Sequence, residues 1–343
     1  MPEWAAHRKH GDLFSTGVWF AHFAAAALPA DTAVHFIQTQ SSSSDERLAL
    51  ALKASRGESA PFCRLLESMS NYYSCGFGPI ANASPPTAAL HELADELAIA
   101  GREFDGVRLG PLERDSAFAT TCEARLRAAG FHTYWAIAFR NWFATTEGLS
   151  FDQYLERVPS SFPATSEKRR QAFLRKGSGT IVITSAEHGM EPELQAYTLV
   201  YESSWKVPEP FPHFLPGLIR LAARHGWLRL GVLRVGGEPA AAQLWFVVDG
   251  RALIYKVAYA ERFNKLSVGS ILTAALLDHV ISTDRVREVD FLSGDDPYKA
   301  KWMFSRRDRH TLLAFNRWRW RGTLAALREA LAQRRDRFKT ERS

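Results

Sequence analysis

Apolar and polar positions along the chain fall into two stretches of unequal clarity. The earlier stretch predicts a helix over 16–28 and a short strand over 33–39, with a serine- and aspartate-rich loop at 41–45. Strand-like residues recur near 61–66 and 71–77. Pro85-Pro86 opens a helix over 86–100, because proline suits the first turn, and Gly101 closes it. Val107-Arg108-Leu109 alternates as a strand does, a helix over 116–129 ends at the C-cap signal Gly130, and the aromatic run 131–143 reads as one or two strands. Glu147-Gly148-Leu149-Ser150 and Val158-Pro159-Ser160-Ser161 are linker-like and place a domain boundary inside 145–165.

The later stretch is sharper. It predicts a basic helix over 166–176 (Lys168, Arg169, Arg170, Arg175), a strand over 180–184, and helices over 191–205 and 214–225. Strands follow over 228–235, 240–248 and 251–259, joined by Gly236-Gly237-Glu238 and by Asp249-Gly250, whose two positions both favour positive φ. A helix over 268–282, a strand over 288–292, a last strand over 311–315 and a C-terminal helix complete the order. Such short turns force an antiparallel meander, and the helix over 268–282 can return the chain for parallel pairing. The expected class is therefore α/β (α+β), with mixed central sheets flanked by helices. The domains are expected at 1–150 and 151–320, with a basic C-terminal helix at 321–343; the first repeats the second more weakly, as an internal duplication would.

Composition narrows the function. A length of 343 residues, 46% hydrophobic and 23% charged, suits two cored domains rather than a disordered chain. The net charge of +6 fits a polyanionic small molecule such as a nucleotide cofactor and does not require nucleic acid. Much of it sits in the tail (Arg317, Arg319, Arg321, Arg328, Arg334, Arg335, Arg337, Lys339, Arg342), which reads as a solvated helix face. Trp302, Trp318 and Trp320 are expected to pack as core or rim against that tail. Three cysteines, Cys63, Cys75 and Cys122, with no CxxC, fit a reducing compartment, so a cytoplasmic location is expected. No HExxH and no Cys/His ligand spacing occur, so no metal is expected, and the lack of a P-loop or GxGxxG disfavours kinase and dinucleotide chemistry. Arg8 and Lys9 ahead of an apolar run over 18–30 imitate a signal peptide, but Asp12 and His22 favour an amphipathic helix. No apolar run reaches the roughly 18 residues that a membrane span needs.

Two segments carry candidate chemistry. Near Ser267 a helix begins; Ser267 can cap it, Gly269 bares its first turn, and Arg262 and Lys265 add positive charge, which together make an anion site. Further on, the strand holding Asp290 runs into Gly294-Asp295-Asp296-Pro297, followed by Tyr298 and Lys299, so that a carboxylate, a phenol and an amine meet at the carboxyl end of a strand.

Pro239-Ala240-Ala241-Ala242-Gln243-Leu244, Leu266-Ser267-Val268-Gly269-Ser270, Asp290-Phe291-Leu292-Ser293-Gly294 and Tyr298-Lys299-x-x-Trp302 resemble the CelD-like (cellulose-biosynthesis) acetyltransferase domain of the GNAT superfamily, a group related to the FemAB transferases. The resemblance covers 165–316, with Val268 where the family has proline; stretches near 14–23 and 65–73 resemble its degenerate first domain more loosely. It implies tandem GNAT-like (acyl-CoA N-acyltransferase) modules, the second holding acetyl-CoA or another acyl-CoA. The cofactor would lie along Val257, Ala258 and Tyr259 and at Lys265, Ser267, Val268, Gly269 and Ser270, with Gln243 and Gly294 toward the acceptor. A backbone N–H near Val257 would polarise the thioester carbonyl, Asp290 would orient or deprotonate an amine, Tyr298 would act as the acid and Lys299 would steady negative charge. The acceptor is expected to be an amine of a sugar, polysaccharide precursor or small metabolite that attacks the thioester directly. Two other functions share these residues: a FemAB-like transferase using aminoacyl-tRNA, for which the basic helix is suited, and an inactive relative that supports polysaccharide assembly. Nucleic acid is a partner only under the first of these.

Overall fold

The computed structural model describes residues 11–29, 32–40, 46–56, 62–81 and 85–340. The expected loop at 41–45, the Arg8-Lys9 segment and the side chains of Arg337, Lys339 and Arg342 lie outside the described residues. The chain divides into two units, one made of Met1–Phe139 with Asp308–Ser343 and the other of Arg140–Arg307.

In the first unit, α1 (Gly17–Ala26) is capped by the Thr16 hydroxyl, which accepts from Trp19 N, and is followed by β1 (Val34–Gln40), β2 (Arg47–Arg56) and β3 (Arg64–Ser68). Strand β2 is absent from the sequence expectations, and the expected strand at 71–77 is turn and coil. Its Leu-Ala alternation has helical propensity, but Leu48, Ala49, Leu50, Ala51 and Leu52 are all fully buried, so packing on both faces of the sheet overrides propensity. Helix α2 (Thr87–Gly101), β4 (Gly106–Leu112), α3 (Ala117–Ala128) and the single long strand β5 (Phe131–Thr145) follow.

The second unit begins within β5. The segment expected to be a linker contains α4 (Phe151–Arg157), which a capping box starts: Ser150 Oγ accepts from Gln153 N while Gln153 Oε1 accepts from Ser150 N. Phe151 and Tyr154 then bury the first turns. Helix α5 (Phe162–Arg175), β6 (Gly179–Thr184), α6 (Met190–Glu202) and α7 (Phe214–Arg224) lead to the meander β7 (Leu228–Val235), β8 (Glu238–Val248) and β9 (Arg251–Tyr259). A 3₁₀ turn over Glu261–Leu266 delivers α8 (Val268–Asp278), one π turn extends it, and β10 (Glu288–Asp290), α9 (Pro297–Ala300) and β11 (Ser305–Asn316) follow. The chain returns to the first unit within β11 and ends in α10 (Trp320–Thr340).

The second unit's strands lie in the order β6-β7-β8-β9-β10-β5, all neighbours antiparallel except the β9–β10 pair. The first unit's order is β1-β2-β3-β4-β11, antiparallel except at β3–β4. Ladder for ladder, β1-β2-β3-β4-β11 repeats β7-β8-β9-β10-β5, and in each a helix (α2 or α8) spans the parallel crossover. The duplication is thus a property of topology. Among the described residues no helix is long and apolar enough to cross a membrane.

The core of the second unit is α8 laid on the meander. Gly231 of β7 has no side chain where a Cβ would stand 2.8 Å from Leu276 Cδ1 and 3.1 Å from Leu272 Cδ1, so α8 approaches the sheet closely. Leu272, Ala274, Leu276 and Leu277 are fully buried. Leu272→Ala is expected to lower the unfolding free energy by about 2–5 kcal/mol, since neighbouring strands cannot close the void; urea denaturation followed by tryptophan fluorescence checks it.

Candidate functional site

The parallel pairing of β9 with β10 extends over three residues of each strand, Arg251, Ala252 and Leu253 against Glu288, Val289 and Asp290. Beyond Asp290 the chain continues to bond β5 on its other side: Phe291 N donates to Trp142 O (2.9 Å) and Gly294 N to Arg140 O (3.0 Å). Leu292 takes a left-handed φ of 56° at this departure. The chain therefore leaves β9, and among the described residues no strand pairs with Ile254–Tyr259 on that side. A bulge in β9 falls at the same level, since Leu244 pairs Lys256 and Trp245 pairs Ile254, which makes Tyr255 the extra residue of the ladder. In the first unit the equivalent strands stay bridged. Ser68 Oγ accepts from Gly110 N (2.7 Å) and Ser70 Oγ donates to Gly110 O (2.9 Å), so no such opening forms.

Asp290 anchors the point of divergence and is 1% exposed. Its Oδ1 accepts from Asn141 Nδ2 (2.6 Å) and Leu292 N (2.6 Å). Its Oδ2 accepts from Arg251 Nη2 (3.2 Å) and from Arg307 Nη2. The same two guanidiniums hold Glu288, at 2.9 Å from Arg251 Nε and 2.8 Å from Arg307 Nη2. Two arginines and two carboxylates thus neutralise one another at the end of β10. A carboxylate occupied by four donors has no lone pair to offer a substrate amine. The carboxylate expected to orient or deprotonate an amine is, in this structure, held at the strand ends by these four donors.

Helix α8 begins beside the opening. Ser267 holds φ 58° and ψ 30°, and no side chain caps the helix. Its hydroxyl does not cap as the sequence predicts, because it accepts instead from Arg169 Nη1 of α5 (2.9 Å). An exposed guanidinium thus stands against the positive end of a helix dipole, with Lys265 exposed one residue before Leu266. These like charges repel unless an anion joins them. Gly269 serves packing as well as access, since a Cβ there would lie 3.2 Å from Tyr259 Cδ1. Val268 and Gly269 are buried, Ser270 half-buried.

Gln243, expected toward the acceptor, lies in the interior of the second unit. It is fully buried on β8, its Nε2 donates to Gly269 O (2.9 Å) and Thr273 Oγ1 (2.8 Å), and its Oε1 accepts from Trp245 Nε1 (3.0 Å). It ties the start of α8 to the sheet. Tyr298, on α9, sets its hydroxyl 3.3 Å from Thr273 Oγ1, with edge-on ring contacts to Phe162, Phe291 and Trp302. Burial pushes its phenol up, partly offset by hydrogen bonding to Thr273, so the proton stays on. Lys299 points back under the turn, donating to Phe291 O (3.1 Å) and to Ser293 O, and its amine lies against Gly294, whose φ is 114°. Lys299 and Gly294 thus shape the segment that leaves β9.

The loop after α6 brings further groups that the sequence reading does not name. Trp205 packs tilted against Tyr259 at a centroid distance of 4.5 Å, and Lys256 Nζ of β9 bonds Glu209 Oε1 (2.7 Å). Burial pushes the Lys206 ammonium down, and the nearby Lys256 and Lys299 act the same way against Glu209 and Asp296. The structure thus brings Val257, Ala258 and Tyr259 together with Ser267, Gly269, Ser270 and Tyr298 around one opening. Arg169 is visible in sequence only as part of a basic helix, and Asn141, Arg251 and Arg307 carry no motif.

Residues 160–300 match the family described as acetyltransferase (GNAT) domain. The fold is similar to that of FemX (TM-score 0.61, 9% identity, 90% of this chain and 94% of that chain). It is also similar to L-PGS from Bacillus licheniformis (TM-score 0.50, 13% identity, 92% of this chain and 95% of that chain). A conserved protein of unknown function from Bacteroides thetaiotaomicron is a further likeness (TM-score 0.51, 10% identity, 90% and 93% covered). At such identities the likeness is one of fold. None of the curated protein sequences matches the chain.

The placement of Asp290 and Tyr298 separates them in a stability measurement. Asp290→Asn removes a buried charge that two half-buried guanidiniums face, and is expected to cost about 3–5 kcal/mol in urea unfolding. Tyr298→Phe removes one long hydrogen bond, and its cost is expected to stay at about 1 kcal/mol.

Proposed function

Because residues 160–300 match the family described as acetyltransferase (GNAT) domain, we propose that the chain is an acyltransferase that moves an acyl group from coenzyme A to an amine, using the opening between β9 and the segment after β10. The observation that carries this reading is the parting of β10 from β9 after Leu253 and Asp290, beside a helix start with no side-chain cap and with Arg169 against it. An extended pantetheine arm bonds such an edge as an added strand does. The pyrophosphate fits the amides at Val268, Gly269 and Ser270 with Arg169 and Lys265 beside them, which relieves the like-charge contact there. The thioester supplies the activated acyl group.

The chain's own residues supply the rest. A main-chain N–H of Val257, Ala258 or Tyr259 on the unpaired side of β9 donates to the carbonyl oxygen as charge gathers on it. Tyr298, protonated and lodged between α8 and the departing segment, donates to the leaving sulfur as the carbon–sulfur bond breaks, and the proton lost by the attacking nitrogen restores the phenol. Asp290 keeps the strands apart at the right level, and Lys299 fixes the turn that carries Tyr298. Trp205, Lys206 and Glu209 stand at the end of the opening marked by Tyr259, where the acceptor amine enters. Amino sugars, polysaccharide precursors and small metabolites are the acceptors this reading starts from, and the location it assumes is the cytoplasm.

Isothermal titration and release of free thiol test the reading. Acetyl-CoA or a longer acyl-CoA is expected to bind and, with an amine acceptor, to release thiol; Tyr298→Phe is expected to lower kcat by about a hundredfold with KM for the donor little changed. Arg169→Ala is expected to weaken acetyl-CoA about tenfold while leaving S-acetylpantetheine, which lacks the pyrophosphate, unaffected. Transfer from aminoacyl-tRNA with no response to any acyl-CoA would favour a tRNA-borne donor, and no binding of either would mark an inactive relative.

A further inference from the structure

Helix α10 presents apolar residues on two opposite sides. One side docks on the first unit: Ala325 and Ala326 are buried with Cys63, Leu65 and Phe315, and Gly322 lies where a Cβ would meet Asp105 O at 2.5 Å. The opposite side carries Trp320, Leu324, Leu327 and Leu331 at spacings of four, three and four residues, which is one stripe of a helix. Trp320 is 71% exposed, Leu327 58% and Leu331 59%, and Trp318 just before the helix is 73% exposed. The expectation that Trp318 and Trp320 pack as core or rim is therefore not met. Their rings instead carry Arg317 (Cζ 4.4 Å from the Trp318 centroid) and Arg321 (5.2 Å from that of Trp320).

The charge around the stripe is of one sign. Arg317, Arg319, Arg321, Arg328, Arg334 and Arg335 are exposed, and no acidic residue is exposed among the described side chains of 317–335. Arg321, Arg328 and Arg335 follow at seven-residue intervals along one flank of the stripe. Pairing with a second copy through the leucines would set these arginine rows beside their own images, at a repulsive cost. A surface that is negative and apolar at shallow depth has no such conflict. It receives leucines in its acyl layer, tryptophans at the headgroup level and arginines at the phosphates.

We propose that α10, with Trp318, docks the chain flat onto an anionic lipid bilayer surface. The helix lies in the interface, held by its outward apolar stripe and flanking arginines, with its inner face remaining on the first unit. This assignment is independent of the acyl-transfer reading and uses none of the residues in it.

Co-sedimentation of the full chain with vesicles of equal parts phosphatidylglycerol and phosphatidylcholine, against pure phosphatidylcholine, tests the proposal. The chain is expected to sediment with the anionic vesicles only, and less as salt rises. The double variant Leu327→Glu, Leu331→Glu is expected to lower the bound fraction at least roughly tenfold, since two exposed leucines lose their apolar seat. Both positions face away from the docked side, so the variant's unfolding curve is expected to match the parent's; Trp320→Ser provides a second variant should it not. Failure to sediment with anionic vesicles, equal sedimentation with neutral ones, or unchanged binding of both variants would overturn it. So would a dimer in analytical ultracentrifugation that the double variant abolishes while vesicles bind neither form.

Discussion

A strand has two edges, and beyond Asp290 the chain after β10 spends its hydrogen bonds on one of them. Phe291 and Gly294 follow β5, and among the described residues the ladder between β9 and β10 ends at Leu253 and Asp290. Every feature of the site is arranged about that choice. The bulge at Tyr255 falls where the strands part, α8 starts beyond the far end of β9, and Tyr298 returns on the segment that moved away. The repeated half of the chain shows the alternative outcome from the same topology, because Ser68 and Ser70 reach across to Gly110 and keep its parallel pair together.

Holding such a gap open has an electrostatic side. Arg251 and Arg307 sit between Glu288 and Asp290, and Asn141 ties the cluster to β5, so the strands are fixed at the last level where they touch. A carboxylate as buried as Asp290 is stable only with its partners in place. At the start of α8 the balance is reversed: Arg169 meets a helix dipole of its own sign. One cluster is internally satisfied at the strand ends; the other sets an exposed guanidinium beside the start of a helix. The contrast separates architecture from binding in a region where both are rich in arginine.

Sequence carried the meander, its turns and the crossover helix because each has a local signal: Asp249-Gly250 has one hairpin geometry, and the apolar period of 268–282 is unmistakably helical. It did not carry β2, where alanine and leucine are as good in a helix as in a strand and only burial on both faces decides. Helix α4 had a readable start in Ser150 and Gln153, overlooked among linker-like neighbours. For the site, the residues near Ser267 and Tyr298 lay within recognisable strings, and the structure gathers them. Arg169, Asn141, Arg251 and Arg307 meet the site from elements far apart in sequence, so spacing holds no trace of them. The roles given to Asp290 and Gln243 turned on burial and on which donors surround them, and neither can be read along a single line of residues.

The discontinuity of the first unit bears on how the protein is made. Strand β4 finds its antiparallel neighbour only in β11, which emerges from the ribosome long after it. At roughly 5–20 residues per second the edge of β4 waits some ten seconds or more, while the whole of Arg140–Arg307 is translated and can settle from contiguous chain. The nascent first unit must meanwhile keep a bare, largely apolar edge from pairing with other chains. Slow translation across the intervening segment, or a chaperone at the exit tunnel, would thus weigh more on the yield of this protein than on that of one whose sheets close in order.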